Sequence, residues 1–356
     1  MHKIVNDTHP SRDIILKMPK IEVHRHLEGT YPIKSLFKMA MKNNLDVPSD
    51  IDTFKKTFQF PKNHKPDFLL FLSKFKKFWY KSIDDVKYIT LKSVEALADE
   101  NIFYIELRFN PLHFTELTNL DPCEVTQAII ETGDSAAKKI GLHIRYILTF
   151  NRGIQTANEM IHTYKLLHNS DLSRVVGIDL AGDEINYPPE LFTPFFDLVK
   201  KDGQFRIDIH AGEVTDTNNI WTSIDQLHAD RIGHGVSAIN DPKLQNVLKE
   251  KQIFLAQCIT SNYQTGAWED EPSHPMKDLV ESGVPVTIAS DDPTIQDSLL
   301  TDDYMKAIVN FNWNIDSIIQ LNLKSFDSTF LTNQEKDKLK KEYLLSIESF
   351  KNKFRL

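Results

Sequence analysis

The chain has 356 residues, of which 41% are hydrophobic, and this length and apolarity exclude a disordered or disulfide-stapled protein. Its formal net charge of −8 argues against a protein that binds DNA or an acidic membrane. The two cysteines, Cys123 and Cys258, suit a reducing compartment. Because Met1 to Lys20 contains no apolar stretch long enough for a signal peptide, and no later run approaches a membrane span, we expect a cytoplasmic protein.

Short runs rich in β-branched and aromatic residues recur along the chain and predict eight strands. These runs begin at Ile21, Ile102, His143, Val175, Phe205, Arg231, Ile253 and Pro285. Helical patterns separate them, with Asp121–Pro122 and Asp241–Pro242 as helix starts. Alternating strands and helices predict a parallel sheet, and eight parallel strands can close a (β/α)8 TIM barrel. The alternative is a doubly wound open sheet, which usually has fewer strands.

No repeat or linker divides the chain, so residues 1–356 are predicted to form a single domain of the α/β class. The interval from Ile21 to Ile102 exceeds one strand–helix unit and predicts a helical insertion at about residues 45–95. Within it, helical spacing relates Phe68, Phe71, Leu72, Phe75 and Trp79. Because the insertion leaves the end of the first strand, on the face where barrels keep their active sites, we interpret it as a lid over an apolar ligand.

The chain beyond the eighth strand predicts a C-terminal helical extension, residues 293–356. Thr332 and Glu335 have the spacing of a capping box that opens its last helix. The predicted buried side of that helix consists of Tyr343, Leu344, Ile347 and Phe350. We expect the extension to cover the bottom of the barrel.

Metal-ligating residue types occur at several strand ends. Alternation places His24 and His26 on one side of the first strand, while His210 lies at the end of the fifth strand and Asp291 at the end of the eighth. Three imidazoles and a carboxylate suit zinc, and a barrel brings strand ends to one axis. We therefore predict a mononuclear, five-coordinate site, which leaves His234, at the end of the sixth strand, available for acid–base work.

Other interpretations of these residues are open at this point. An isolated His-x-His pair is as often a satisfied polar pair on a strand face as a ligand pair, and only the coincidence of several strand ends favours a metal. Gly233, His234 and Gly235 form part of a dinucleotide-binding fingerprint, but the following helix start and ribose-binding acid are missing. The chain contains no phosphate-binding P-loop, HExxH or GxSxG motif.

Six segments resemble the adenosine deaminase family of the amidohydrolase superfamily, in the right order from Pro19 to Pro293. They read PKIEVHRHLEG, GIDLAGDE, HAGE, RIGHG, CITSNYQTGA and TIASDDP. The resemblance implies a zinc-dependent hydrolase that converts adenosine, and deoxyadenosine, to inosine and ammonia in purine metabolism. Its expected partner is a small purine nucleoside, with neither nucleic acid nor membrane involved.

The resemblance also implies a role for each matching residue. One zinc ion per chain would be held by four ligands, namely His24, His26, His210 and Asp291. Glu213 would donate a proton to purine N1, and His234 would orient or deprotonate the zinc-bound water. The substrate would be contacted by Asp292 at N7, by the Gly182 backbone at N3, by Glu28 at a sugar hydroxyl, and by His26.

One departure from the family leaves the substrate open. Glu28 stands where many adenosine deaminases have aspartate, and its extra methylene would suit a smaller ligand such as free adenine. The segments SNYQTGA and LTDDY are more similar to the nucleoside enzymes. The alternatives are therefore an adenine deaminase, which would produce hypoxanthine, and a non-catalytic barrel that binds purine nucleosides. A nucleotide deaminase is disfavoured because only Arg25 and Arg152 lie near the strand ends.

Overall fold

The computed structural model describes residues 9–356, so the start of the segment used to predict localisation lies outside the described part. Eight strands form one sheet in the order β1 to β8, and each is parallel to the next. They are β1 Lys20–His26, β2 Ile102–Phe109, β3 His143–Arg152, β4 Val175–Gly182, β5 Arg206–Ala211, β6 Arg231–His234, β7 Phe254–Gln257 and β8 Val286–Ile288.

The sheet closes on itself. A parallel bridge joins Arg25 in β1 to Asp291, just beyond β8. The backbone N–H of Asp291 donates to His24 O at 2.9 Å, and that of His26 donates to Asp291 O at 3.0 Å. The predicted (β/α)8 barrel is therefore confirmed, and closure brings the carboxyl ends of the first and last strands together.

The strands are surrounded by α-helices. They are α1 Arg12–Lys17, α2 Ile33–Lys42, α3 Ile51–Phe58, α4 Phe68–Leu72, α5 Ile83–Ala96, α6 Pro111–Thr115, α7 Pro122–Ile140, α8 Ala157–Leu167, α9 Thr193–Asp202, α10 Thr217–Asp225, α11 Pro242–Lys251, α12 Ile259–Thr265, α13 Met276–Glu281, α14 Pro293–Gln296, α15 Leu300–Asn310, α16 Ile315–Ser328 and α17 Asn333–Phe354. Two 3₁₀ turns, Pro189–Phe192 and Val236–Asn240, complete the regular structure of the described chain. Asp121 and Asp241 cap α7 and α11 as their sequences predict.

The five residues at helical spacing in the insertion, Phe68 to Trp79, are divided between two surfaces. Only Phe68 to Leu72 is helical, and the chain turns after Ser73. The ring of Trp79 then packs on Phe54 and Phe58, at centroid separations of 5.7 and 6.1 Å. The five residues at helical spacing therefore do not lie on one helix, since Trp79 packs in the core while the ring centroid of Phe75 lies 6.2 Å from that of His26.

The C-terminal extension covers the amino-terminal end of the barrel. Thr332 and Glu335 make the capping box of α17, as their spacing predicts. The Tyr343 hydroxyl donates to Pro19 O at 3.2 Å, just before β1. Tyr343, Ile347 and Phe350 are buried, whereas Leu344 is 48% exposed, so its predicted burial is wrong.

A layer of paired charges fills the lower interior of the barrel. The Arg231 guanidinium lies 2.7 Å from Glu106 and 2.9 Å from Asp208, and all three side chains are fully buried. Arg108 joins the same Asp208 at 2.8 Å and Asp179 at 3.2 Å. These charges alternate with outward-facing apolar residues along each strand, which is the two-residue period of the sheet.

Across residues 9–356, no helix combines the length and the apolarity needed to cross a membrane.

Candidate active site

A cavity of about 460 Å³ opens at the carboxyl ends of the strands. This volume is within the range of small-molecule sites. The insertion contributes one apolar wall, which includes Phe68, Phe71, Leu72 and Phe75. The sequence-predicted residues that line the cavity are His26, Glu28, Gly182, His210, Glu213, His234, Asp291 and Asp292.

Four of the predicted residues form a compact cluster. Ligand atoms of His24, His26, His210 and Asp291 all lie within 4.8 Å of one another. Asp291 Oδ1 is 3.5 Å from Nε2 of His24 and 3.5 Å from Nε2 of His26. The two Nε2 atoms of His26 and His210 are 3.2 Å apart. Donor atoms from three strand ends therefore converge on one point, as a single metal ion requires.

The state of these side chains fits a metal ion. Neither ring nitrogen of His24 has a hydrogen-bond partner among the described residues, although the side chain is fully buried. Burial lowers the pKa of His26 to about 3, and burial with the Arg108 charge lowers the pKa of His24 well below its usual value. Neutral imidazoles with free lone pairs are the form that binds metals.

Asp179, in β4, orients the third histidine. Its Oδ1 accepts from His210 Nδ1 at 2.9 Å. Burial alone would raise the pKa of Asp179, but His210 and Arg108 lower it below its ordinary value, so the group is a carboxylate. The proton of His210 therefore lies on Nδ1, and its Nε2 lone pair faces the cluster. Asp179 lies in the segment GIDLAGDE, which is part of the resemblance, but its role depends on the neighbouring strand.

Space beside His24 is provided by Gly233. A Cβ at this position would lie 2.5 Å from His24 Cε1. We expect Gly233→Ala to displace the imidazole and to weaken metal binding by about 10- to 100-fold, as loss of support for a ligand commonly does. Competition with a chelator of known affinity measures the change.

The matched control for Gly233→Ala is Gly177→Ala, lower in the barrel. There a Cβ would meet the Phe330 ring at 2.7 Å. Overpacking should lower the stability of both variants by about 1–3 kcal/mol. Metal affinity should fall only in Gly233→Ala, and an equal loss in both variants would contradict a local effect on His24.

Glu213 stands beside the cluster without belonging to it. Its Oε2 is 3.5 Å from His234 Nε2, and the side chain is buried. Burial, with the charges of Asp291 and Glu184, raises the pKa of Glu213 well above its ordinary value. A raised pKa favours the protonated form of a carboxyl group, which is the form that acts as a general acid.

Glu184 holds the loop that carries Glu213. Its carboxylate accepts backbone N–H groups of Gly212 at 2.9 Å, Val214 at 2.6 Å and Thr215 at 3.2 Å. The amides flank Glu213 on both sides, so the carboxylate fixes its direction. The DE pair after strand four is visible in the sequence, but the partner loop is supplied by the next strand.

Two further carboxyl groups reach the cavity with unpartnered oxygens. Glu28 Oε1 accepts the Asn110 N–H at 2.7 Å, whereas Oε2 has no hydrogen-bond partner within residues 9–356. Burial raises the pKa of Glu28 to about 7. Asp292 Oδ1 is likewise unpartnered, and burial with the Asp291 charge raises the pKa of Asp292 well above its usual value. Both groups can therefore bind a polar ligand.

Short helix α12, after β7, supplies residues that the motif analysis did not assign. Ser261 Oγ donates to Asp291 Oδ2 at 2.6 Å. The adjacent Asn262 contacts His234 Nδ1 at 3.1 Å and His274 Nε2 at 3.0 Å. The segment SNYQTGA was recognised as part of the resemblance, and its polar residues were the available signal. His274 lies outside the six segments that carry the resemblance.

Fold and site together define a (β/α)8-barrel protein of the metal-dependent hydrolase type, with its His/Asp cluster at the strand ends. The family model described as adenosine deaminase matches residues 19–344. The chain belongs to the adenosine deaminase family. The adenosine deaminase of Pectobacterium atrosepticum is 32% identical over 336 residues, which cover 93% of this chain and 98% of that relative.

Solved structures have the same fold at lower identity. The adenine deaminase of Arthrobacter aurescens superposes with a TM-score of 0.85 at 22% identity, covering 93% of this chain and 99% of its own. The N6-methyl-AMP deaminase of Arabidopsis thaliana superposes with a TM-score of 0.80 at 24% identity, covering 94% and 98%.

Proposed function

We propose that this protein is a zinc-dependent adenosine deaminase, which hydrolyses adenosine and deoxyadenosine to inosine or deoxyinosine and ammonia. The observation that carries the proposal is the buried Glu213 carboxyl beside a cluster of three histidines and Asp291, on the wall of one cavity. Curated relatives of this chain that carry the name adenosine deaminase support the substrate.

The chemistry replaces the exocyclic amine of the purine by oxygen. A zinc ion held by His24, His26, His210 and Asp291 would lower the pKa of water to about 7 and so supply hydroxide at neutral pH. Glu213 donates a proton to purine N1 as oxygen adds at C6. Of the two protons of the water consumed, one ends on N1 and the other on the amine, which leaves as ammonia. We assign these transfers to the Glu213 carboxyl, which lies 3.5 Å from His234 Nε2.

Substrate contacts are proposed for the polar groups around the cavity. Asp292, as a protonated carboxyl, donates to purine N7, and the unpartnered oxygen of Glu28 accepts from a sugar hydroxyl. Gly182, at the end of β4, has a φ of +99° that suits glycine, and its backbone approaches N3. His26 lies beside the reacting carbon. The apolar wall that the insertion contributes covers the purine and excludes water.

A nucleotide substrate is disfavoured by the state of the cations that line the cavity. Lys77 pairs with Glu116, and buried Arg152 donates to the backbone oxygen of His210. Both are therefore engaged within the protein, and a phosphate would lack a free basic partner.

The cytoplasmic location and the presence of one zinc ion per chain belong to this proposal as well.

Turnover of four purines tests the proposal. With zinc-replete enzyme, we expect kcat/KM to be highest for adenosine, with deoxyadenosine also converted, and to be much lower for adenine and AMP. Ammonia release and ultraviolet absorbance measure the reaction, and a chelator should abolish it. A preference for adenine would overturn the substrate and implicate Glu28, whereas nucleoside binding without turnover would identify a non-catalytic barrel.

A further inference from the structure

A chain of hydrogen bonds runs from the backbone of Met276 through His274 and Asn262 to His234. We propose that Asn262, oriented by His274, keeps the proton of His234 on Nε2, so that His234 donates a hydrogen bond to the attacking oxygen instead of acting as its base. This inference rests on the proposed deamination and assigns positioning roles to Asn262 and His274.

The direction of the chain is set at its far end. The backbone N–H of Met276 faces His274 Nδ1 at 3.3 Å, and an amide nitrogen can only donate. His274 Nδ1 is therefore an acceptor. The side chain is 2% exposed, and burial lowers the pKa of His274 to about 3, so the ring is neutral. A neutral imidazole has one N–H, which must lie on Nε2.

The orientation of the Asn262 amide follows from its neighbours. One end of the amide faces His274 Nε2 at 3.0 Å and the backbone N–H of Cys258 at 3.4 Å. Both neighbours are donors, so this end must be the oxygen, although amide oxygen and nitrogen are otherwise assigned only from such networks. The Asn262 NH2 group therefore faces His234.

The same reasoning fixes the tautomer of His234. Asn262 Nδ2 lies 3.1 Å from His234 Nδ1 and donates to it. Protonation of Nδ1 would set two donors against each other, so the only proton of the ring lies on Nε2. Nε2 is also the nitrogen that approaches Glu213, at 3.5 Å from its Oε2, and the ring centroid of His234 is 4.9 Å from that of His24.

This tautomer assigns different work to His234 and Glu213. A base needs a lone pair toward the proton that it removes, and Nε2–H presents none. An N–H aimed at an oxygen that gains negative charge stabilises the transition state instead. His234 keeps its proton throughout, and the proton transfers belong to Glu213. The backbone of His234 lies in the left-handed region, at φ +60°, which is uncommon for a residue other than glycine.

Asn262→Asp separates the two roles with almost no change in side-chain shape. One carboxylate oxygen still accepts from His274 and Cys258. The other can only accept, so it draws the His234 proton to Nδ1 and leaves a lone pair on Nε2. If His234 is a donor, kcat for adenosine should fall by about 100-fold or more. If it is a base, the new aspartate–histidine pair would preserve or raise kcat, and that result would overturn the proposal.

The tautomer is also measured without turnover. Nitrogen-15 NMR of zinc-loaded, full-length protein labelled at histidine should show His234 protonated on Nε2 in the wild type and on Nδ1 in Asn262→Asp. His234→Gln identifies the signals by their disappearance. Asn169→Asp adds the same charge at an exposed position after α8 and should alter neither kcat nor the tautomer.

The outcomes keep this inference distinct from the proposed function. A wild-type His234 protonated on Nδ1 would overturn the inference even if Asn262→Asp failed to fold. A protein that is silent on adenosine but carries the Nε2 proton would contradict the proposed substrate alone and would still support the tautomer.

Discussion

Replacing Glu213 by glutamine is expected to lower kcat for adenosine by about 10²- to 10⁴-fold while zinc affinity remains unchanged. Glutamine preserves the size and polarity of the side chain but cannot transfer a proton. Glu213 contributes none of the four clustered ligand atoms, and burial with the charges of Asp291 and Glu184 raises its pKa, which favours the protonated acid. Absorbance assays measure kcat, and chelator competition measures zinc affinity.

The control for Glu213→Gln is Glu190→Gln, which removes a carboxylate from an exposed position in the 3₁₀ turn Pro189–Phe192. This control should leave both quantities at wild-type values. Loss of zinc from Glu213→Gln would identify Glu213 as a ligand, and retention of kcat would show that the proton donor lies elsewhere. Each result would contradict a different part of the proposed mechanism.

The four clustered residues could be predicted from the sequence because the geometry of parallel strands places their carboxyl ends together. Alternation in HRHLEG places His24 and His26 on one side, and the parallel order brings His210 and Asp291 to the same end. The structure gathers these four residues into one cluster. Their roles as ligands, and that of Glu213 as the acid, remain predictions for the experiments above.

The residues that support the cluster could not be predicted in the same way, because each contacts a residue far from it in the sequence. Asp179 supports a histidine on the adjacent strand, and Glu184 binds amides of the next loop. His274 reaches His234 only through Asn262, and all three come from different segments. Composition and spacing reveal such polar residues, but the partner of each one depends on barrel closure and on loop paths that no local pattern determines.

The buried charge layer connects the stability of the barrel to the cluster above it. Arg231 and Arg108 share Asp208, and Arg108 continues to Asp179, which orients His210. Paired charges at this depth contribute little net stability against an apolar replacement, but breaking one pair leaves an uncompensated charge. The layer therefore holds the carboxylate that orients His210, a proposed metal ligand, and we expect its disruption to lower both stability and zinc affinity.

Arg231→Met is expected to lower the free energy of unfolding by about 3–5 kcal/mol. The change removes guanidinium contacts to Glu106, Asp208 and the backbone oxygens of Ser328 and Val23. Glu106 is fully buried and would be left without its cationic partner. Urea denaturation measures the free energy of unfolding. If its slope against urea concentration, the m value, is unchanged, the loss is assigned to the folded state.

Arg206→Met provides the matched control, because it removes an arginine from the neighbouring strand β5. Arg206 pairs with Asp230 at 2.9 Å, but its side chain is 64% exposed, so the loss should stay within about 1 kcal/mol. Equal effects of the two substitutions would contradict the view that burial makes the layer important. Arg231→Met should also weaken zinc binding in the folded protein. Because Arg231 pairs with Asp208 and not with the four clustered residues, this effect would reach the site through Asp208, Arg108 and Asp179.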